Sequence, residues 1–269
     1  MSRQGVHVGT QLISLPSNAL LHADSSYDPE SGGGGNISAD VSGHRGASVR
    51  TLGGEVTGEV TSQKGAASVV AMGQISGKIS AGRDVYAWAW DKISSTADGG
   101  DSSAGISAGT HAVVTSLKSI TANVQADRVA VVNAGTELSG DVTGGFSATA
   151  AARTGELSGE ITATAGDAVA FALLDVTGDV TAGRHAQMFA LGNVSGNLTA
   201  GGHVVTASLG GHHTGNVDAG MSGMVMGAES VSGSLQAGTT LVASSLGGVS
   251  STANASGNAS RGVRRGIRD

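Results

Sequence analysis

Three evenly spaced acidic residues, Asp141, Glu160 and Asp179, are the first candidates for chemistry in this chain. Carboxylates set one strand spacing apart repel unless water, salt or a cation relieves them. Calcium, which takes oxygen ligands in irregular geometry, is the cation that such a ladder would hold. The glycine-rich nonapeptide of calcium β-rolls is absent, and the competing reading is a solvated polar face. A second set, Asp167, His185 and His203, is evenly spaced in the same way. Carboxylate and imidazole together are a donor set for zinc or for acid–base work near neutral pH, against the reading that polar residues collect wherever a corner faces water. A third set is aromatic: Tyr86, Trp88 and Trp90 alternate within one short stretch, and Phe171 and Phe189 recur in similar surroundings. Turned outward, these rings suit an apolar interface or the stacking of a sugar.

Such intervals mean something only if the fold makes residues 18 or 19 apart into neighbours, and the sequence contains that device. The motif apolar-Ser/Thr-Gly-x-apolar-Ser/Thr-Ala-Gly is most legible as VTGDVTAG from Val176 and VSGNLTAG from Val194. The position of its first apolar residue recurs twelve times from Ile37 to Val249, with His213 at one of them, at steps of 18 or 19 with one step of 27 between Ile93 and Ile120. A unit so short cannot hold a helix pair, and the apolar residues alternate at period two without any i, i+3, i+4 stripe. The expected fold is therefore all-β, a single-stranded parallel β-solenoid of about twelve coils, in which each coil adds roughly 4.8 Å and the whole makes a rod on the order of 60 Å.

Stacked coils turn every position into a column. The expected inward column of the first strand includes Leu138, Leu157, Val176 and Val194, with the glycine two places on keeping the interior narrow. Outward columns of Ser and Thr flank the acidic one, as in Thr177 and Thr181 on either side of Asp179. The second strand is ambiguous, because in Val85 to Trp90, Ala168 to Leu173 and Ala186 to Leu191 both faces are apolar, one small and one large. Small residues inward would leave an exposed stripe of Tyr86, Trp88, Trp90, Phe171 and Phe189; large residues inward would leave an alanine-rich outer wall.

The units GNLTAGGHVV, GKISAGRDVY and GDVTAGRHAQ resemble the repeat stalks of filamentous-haemagglutinin-type exoproteins over roughly residues 37–250. The resemblance implies a non-catalytic structural or adhesive rod within a larger exported bacterial protein, at the cell surface or outside the cell. Self-association through the outward apolar stripe, or contact with a cell-surface glycan, is the expected partnership.

Composition sets the remaining bounds. With 45 glycines, 3% aromatics and no cysteine, the chain has neither a thick core nor a disulfide framework. A net charge of −6 gives no reason to expect nucleic acid, and no stretch reaches the roughly 18 apolar residues of a membrane span. The N-terminus lacks the charged and apolar regions of a signal peptide, so export is expected only as part of something longer. Residues 1–36 read as an N-terminal cap with a glycine-rich hinge, residues 37–253 as the solenoid with a loop insertion near 94–105, and residues 254–269 as a basic, frayed tail. No Ser-His-Asp spacing, phosphate loop or HExxH occurs, so no catalytic residue and no obligatory cofactor is assigned. The enzymatic rival is a polysaccharide-active β-helix with paired carboxylates in a lined cleft. Carbohydrate binding without catalysis is also open, as is ice binding by the threonine columns, the last weakened by the charged column between them.

Overall fold

The computed structural model describes residues 13–14, 20–25, 27–28, 33–94 and 105–263, and the expected loop near 94–105 lies almost wholly outside them. Among the described residues there is no helix; every regular element is a β-strand. The chain forms two compact units, Met1–Gly135 and Thr136–Asp269, and each is a parallel β-solenoid. The first contributes six coils' worth of paired strands and the second seven.

Each coil meets its neighbours along three lines. In the second unit one coil offers a bridge at Val176, a short strand Val180–Ala182 and a long strand Ala186–Ala190. The first strand of this coil is thus divided, with the chain bending at Gly178 while the inside–outside alternation continues: Val176 and Val180 are buried, Thr177, Asp179 and Thr181 exposed. The bend requires glycine. A Cβ on Gly178 would fall on the carbonyl oxygen of Gly159, one coil earlier, and one on Gly196 would fall on that of Gly178. The glycine column therefore exists so that successive backbones can approach, which is a more specific reason than a narrow interior.

Register is kept coil after coil. In the first unit Ile37, Val56, Ile75, Ile93 and Ile120 bridge in sequence, and in the second Leu138, Leu157, Val176, Val194, His213 and Val231 do so. The one long step, from Ile93 to Ile120, leaves the ladders intact, because Ile93 still bridges Ile75 and Ile120 while Ile106 pairs with Ile79. The extra residues enter between two lateral contacts of one coil, where a loop breaks no ladder.

The long strands resolve the sequence ambiguity: the small residues are inside. Val85, Ala87 and Ala89 are buried, as are Ala168, Ala170 and Ala172, while Tyr86, Trp90 and Phe171 are exposed. The interior is one side chain deep. A Cβ placed on Gly223 of a long strand would lie 3.8 Å from Val217 Cγ1 and 3.9 Å from Ala219 Cβ on the facing short strand, ordinary contact distances. Valine or isoleucine on one wall leaves room for alanine on the other but not for phenylalanine.

Pairing also extends beyond the ends expected from the repeat. Leu20–Ser25 pairs with Gly46–Thr51 within the expected cap, and Tyr27–Asp28 pairs antiparallel with Gly33–Gly34 in the expected hinge. At the other end Thr252–Ala255 and Asn258–Val263 continue both sheets past residue 253.

Candidate functional site

The polar columns are held together by the backbone of the next coil. Asp141 Oδ1 accepts the N–H of Glu160 at 2.9 Å, and Asp179 Oδ1 accepts the N–H of Asn197 at 2.7 Å. Asn197 and Asn216 repeat the bond to the N–H of Asn216 and of Ser234. In the first unit Asp40 does the same for Glu59 at 2.7 Å. A second column behaves alike at another corner, where Asp175 takes the N–H of Asn193 and Asn193 that of His212. An N–H at a corner has no strand partner, so an Asp or Asn one coil earlier supplies the acceptor.

This accounts for the first candidate set. Asp141, Glu160 and Asp179 do stand in one column, flanking the paired residues Val142, Ile161 and Val180. Glu160 turns along its own strand and accepts a hydrogen bond from Thr162 Oγ1 at 3.1 Å. Among the described residues no group of three His, Asp or Glu side chains is disposed to hold a metal ion.

The second set is likewise in a column but is not gathered around a point. The rings of His185 and His203 stack with centroids 5.1 Å apart and planes 18° apart. His185 Nδ1 accepts the N–H of His203 at 3.3 Å, and His203 Nδ1 meets Ser222 Oγ. Asp167 turns to Arg184, with Oδ1 3.8 Å from Nε. Stacked parallel rings aim their nitrogens side by side rather than at a shared ion. In the first unit the same position holds Asp84 and His111, paired at 2.8 Å.

The third set lies on the outer face of the long-strand sheet. Tyr86 and Trp90 are about half exposed at 49% and 52%, and Trp88 packs edge-on against Trp90 with centroids 6.3 Å apart. In the second unit Phe171 and Phe189 pair in register, with Leu173 and Leu191 beside them.

One residue stands apart. His213 occupies the inward bridge position between Val194 and Val231 and is completely buried, with neither ring nitrogen hydrogen-bonded. Burial lowers its pKa from 6.5 to about 4, since a charged ring would lose its water there. The signal was in the sequence, because His213 sits on the rung where the repeat places Val or Leu. His212 itself is outside, with Nε2 2.8 Å from Glu229 Oε2.

A depression of about 610 Å³ toward the end of the second unit is lined by Asp218, Gln236, Asn254 and Ser256 among small residues, and Asp218 is its one charged side chain. Compared with known proteins, the chain matches no family model, no curated protein and no solved structure.

Proposed function

We propose that this chain is a non-catalytic structural or adhesive β-solenoid, of the style of filamentous-haemagglutinin repeat stalks, belonging at the cell surface as part of a larger exported bacterial protein. The observation that carries the reading is the use made of the polar side chains: Asp141 and Asp179 of the acidic column, and Asn197 after them, each accept a backbone N–H from the next coil, while Asp167 faces Arg184. The rival polysaccharide-active reading needs two carboxylates facing one bond, and the depression near the end of the second unit supplies one. Contacts are then made by the outward columns, hydroxyls on the short-strand side and apolar residues on the long-strand side.

Carbohydrate binding without catalysis is the second reading, favoured by the exposed Tyr86 and Trp90 and by Trp88 set edge-on between them. One experiment addresses both. The purified chain is incubated with a panel of polysaccharides, and both product release and retention on insoluble polymer are measured. The expected outcome is no release of reducing ends or unsaturated sugars; release that disappears in Asp218→Asn would overturn the non-catalytic reading. Retention lost in Trp88→Ala or Trp90→Ala, with folding intact, would establish the glycan-binding one.

A further inference from the structure

We propose that the coil of Thr252–Ala255 and Asn258–Val263 closes the second unit's solenoid, and that Arg261 is the residue that keeps a second copy of this chain from stacking on it. Such a stop is independent of what the outward columns touch, and so goes beyond the structural or adhesive reading.

These two strands are the last of their sheets, so among the described residues each has a hydrogen-bonded neighbour on one side only. An edge of this kind is a template, because its unpaired N–H and C=O groups can take a strand from another chain, and a second copy brings strands at the same spacing. An inward-pointing charge is one way to blunt such an edge. One inward column of the long strands runs Ala170, Met188, Thr206, Val225, Ala243 in strict register, and all five are completely buried. The next residue in that register is Arg261, opposite Ala243. Arg261 is exposed, with no described coil above it. The end of the stack is the place where an arginine in an inward column can keep its guanidinium in water. A coil laid on top would strip the charge of that water.

The rest of the coil departs from the repeat in the same sense. Leu235 and Leu241, both completely buried in the coil beneath, are followed in register by Ala253 and Ala259. A further coil would therefore gain little apolar contact at those two positions. The corner acceptors have also run out. Asn216 takes the N–H of Ser234, but Thr252 stands next in that column. The other corner column, in which Asp175 and Asn193 each take an N–H from the coil above, passes through Ser230 to Gly248. Glycine has no side chain with which to receive one. An inward charge, a thinned interior and spent acceptors thus meet at one coil, and each acts on the surface that a further coil would use.

Sedimentation of the full chain from about 1 to about 100 µM tests this, with circular dichroism as the check on folding. Arg261→Val and Arg261→Thr place in the last coil the residue types that Val225 and Thr206 supply lower in the column, and both should keep the wild-type spectrum because the position is exposed. Both are expected to associate about a hundredfold or more tightly than the wild type, since burial of the guanidinium no longer opposes stacking. Arg261→Lys keeps the charge and should sediment as the wild type does. Adding Ala259→Glu to Arg261→Val returns a charge to the neighbouring inward position and should restore the wild-type profile, which places the association at this end and not on an outer face. Neutral variants that sediment like the wild type at about 100 µM overturn the proposal. So does association of Arg261→Lys equal to theirs, or association that persists when Ala259→Glu is added. Loss of the wild-type spectrum in both neutral variants would also overturn it, by making Arg261 a residue that the fold itself requires.

Discussion

His213 shows what one residue can do inside so thin a core. A neutral imidazole has a donor and an acceptor, and here both are buried without partners, at a cost of about 1–3 kcal/mol each. Replacing it by valine would continue the rung formed by Val194 and Val231. His213→Val is therefore expected to stabilise the protein at neutral pH by an amount of that order, read as an increased denaturant midpoint. The pH dependence follows from the lowered pKa. The unfolded chain takes up the proton near pH 6.5, while the folded chain resists it until about pH 4. Stability is full above pH 6.5 and falls as the pH drops toward 4, by at most about 3 kcal/mol, after which this contribution levels off. The quantity to compare is the difference between wild type and His213→Val across pH 7.5 to 4.5, in which every contribution common to the two proteins cancels. Parallel melting curves for the two proteins over that range would contradict the assignment.

At the scale of the element, the corner matters more than the strand. Asp179 bridges two coils through its bonds to the N–H and side-chain amide of Asn197. Asp179→Ala is expected to cost about 1 kcal/mol in equilibrium unfolding, and Asp179→Asn almost nothing, because Asn197 and Asn216 make the same bond further along. A role as a calcium ligand would reverse that order, with Asn as damaging as Ala and millimolar calcium raising the melting temperature of the wild type alone. The glycines separate in the same way. Gly178→Ala forces a methyl group onto the carbonyl of Gly159 and should cost roughly 1–3 kcal/mol or more. Gly248→Ala meets nothing within 4 Å and should be neutral or stabilising by about 0.5 kcal/mol. Equal melting temperatures for the two alanine variants would remove close backbone approach as the reason for the glycine column.

For the whole molecule, the consequence of coiling is that each coil is stabilised by the ones it touches. Bonds join residues mostly 18 or 19 apart, so a lesion is felt by adjacent coils first. Gly178→Val should therefore lower hydrogen-exchange protection in Ile161–Ala163 and Leu198–Ala200 much more than in Ala66–Ala71 and Asp84–Ala89 of the first unit. A uniform loss across all four strands would instead mean that the chain unfolds as one cooperative block. The carboxylates lie mostly on the short-strand side, leaving the central columns of the second unit's long-strand face almost uncharged although the chain carries −6 overall.

Repetition makes much of this legible in the sequence alone. When every coil has the same length, a sequence interval becomes a spatial neighbour, so the columns of Asp141, Glu160 and Asp179, of Asp167, His185 and His203, and of the inward Val and Leu residues follow from counting. Counting could not say what a column does. Asp179 could have faced a cation or a backbone N–H, and the choice lies in the corner geometry that leaves Asn197 N–H without a strand partner. Nor could period two decide the long strands, since Tyr86, Trp88 and Phe171 alternate with Ala87 and Ala170 on faces that are both apolar. The tertiary structure decided it through the distance between facing walls: the inward positions of the long strands take mostly alanine and valine, with the slender Met188 and Leu241 at single coils, and the aromatic rings are left outside.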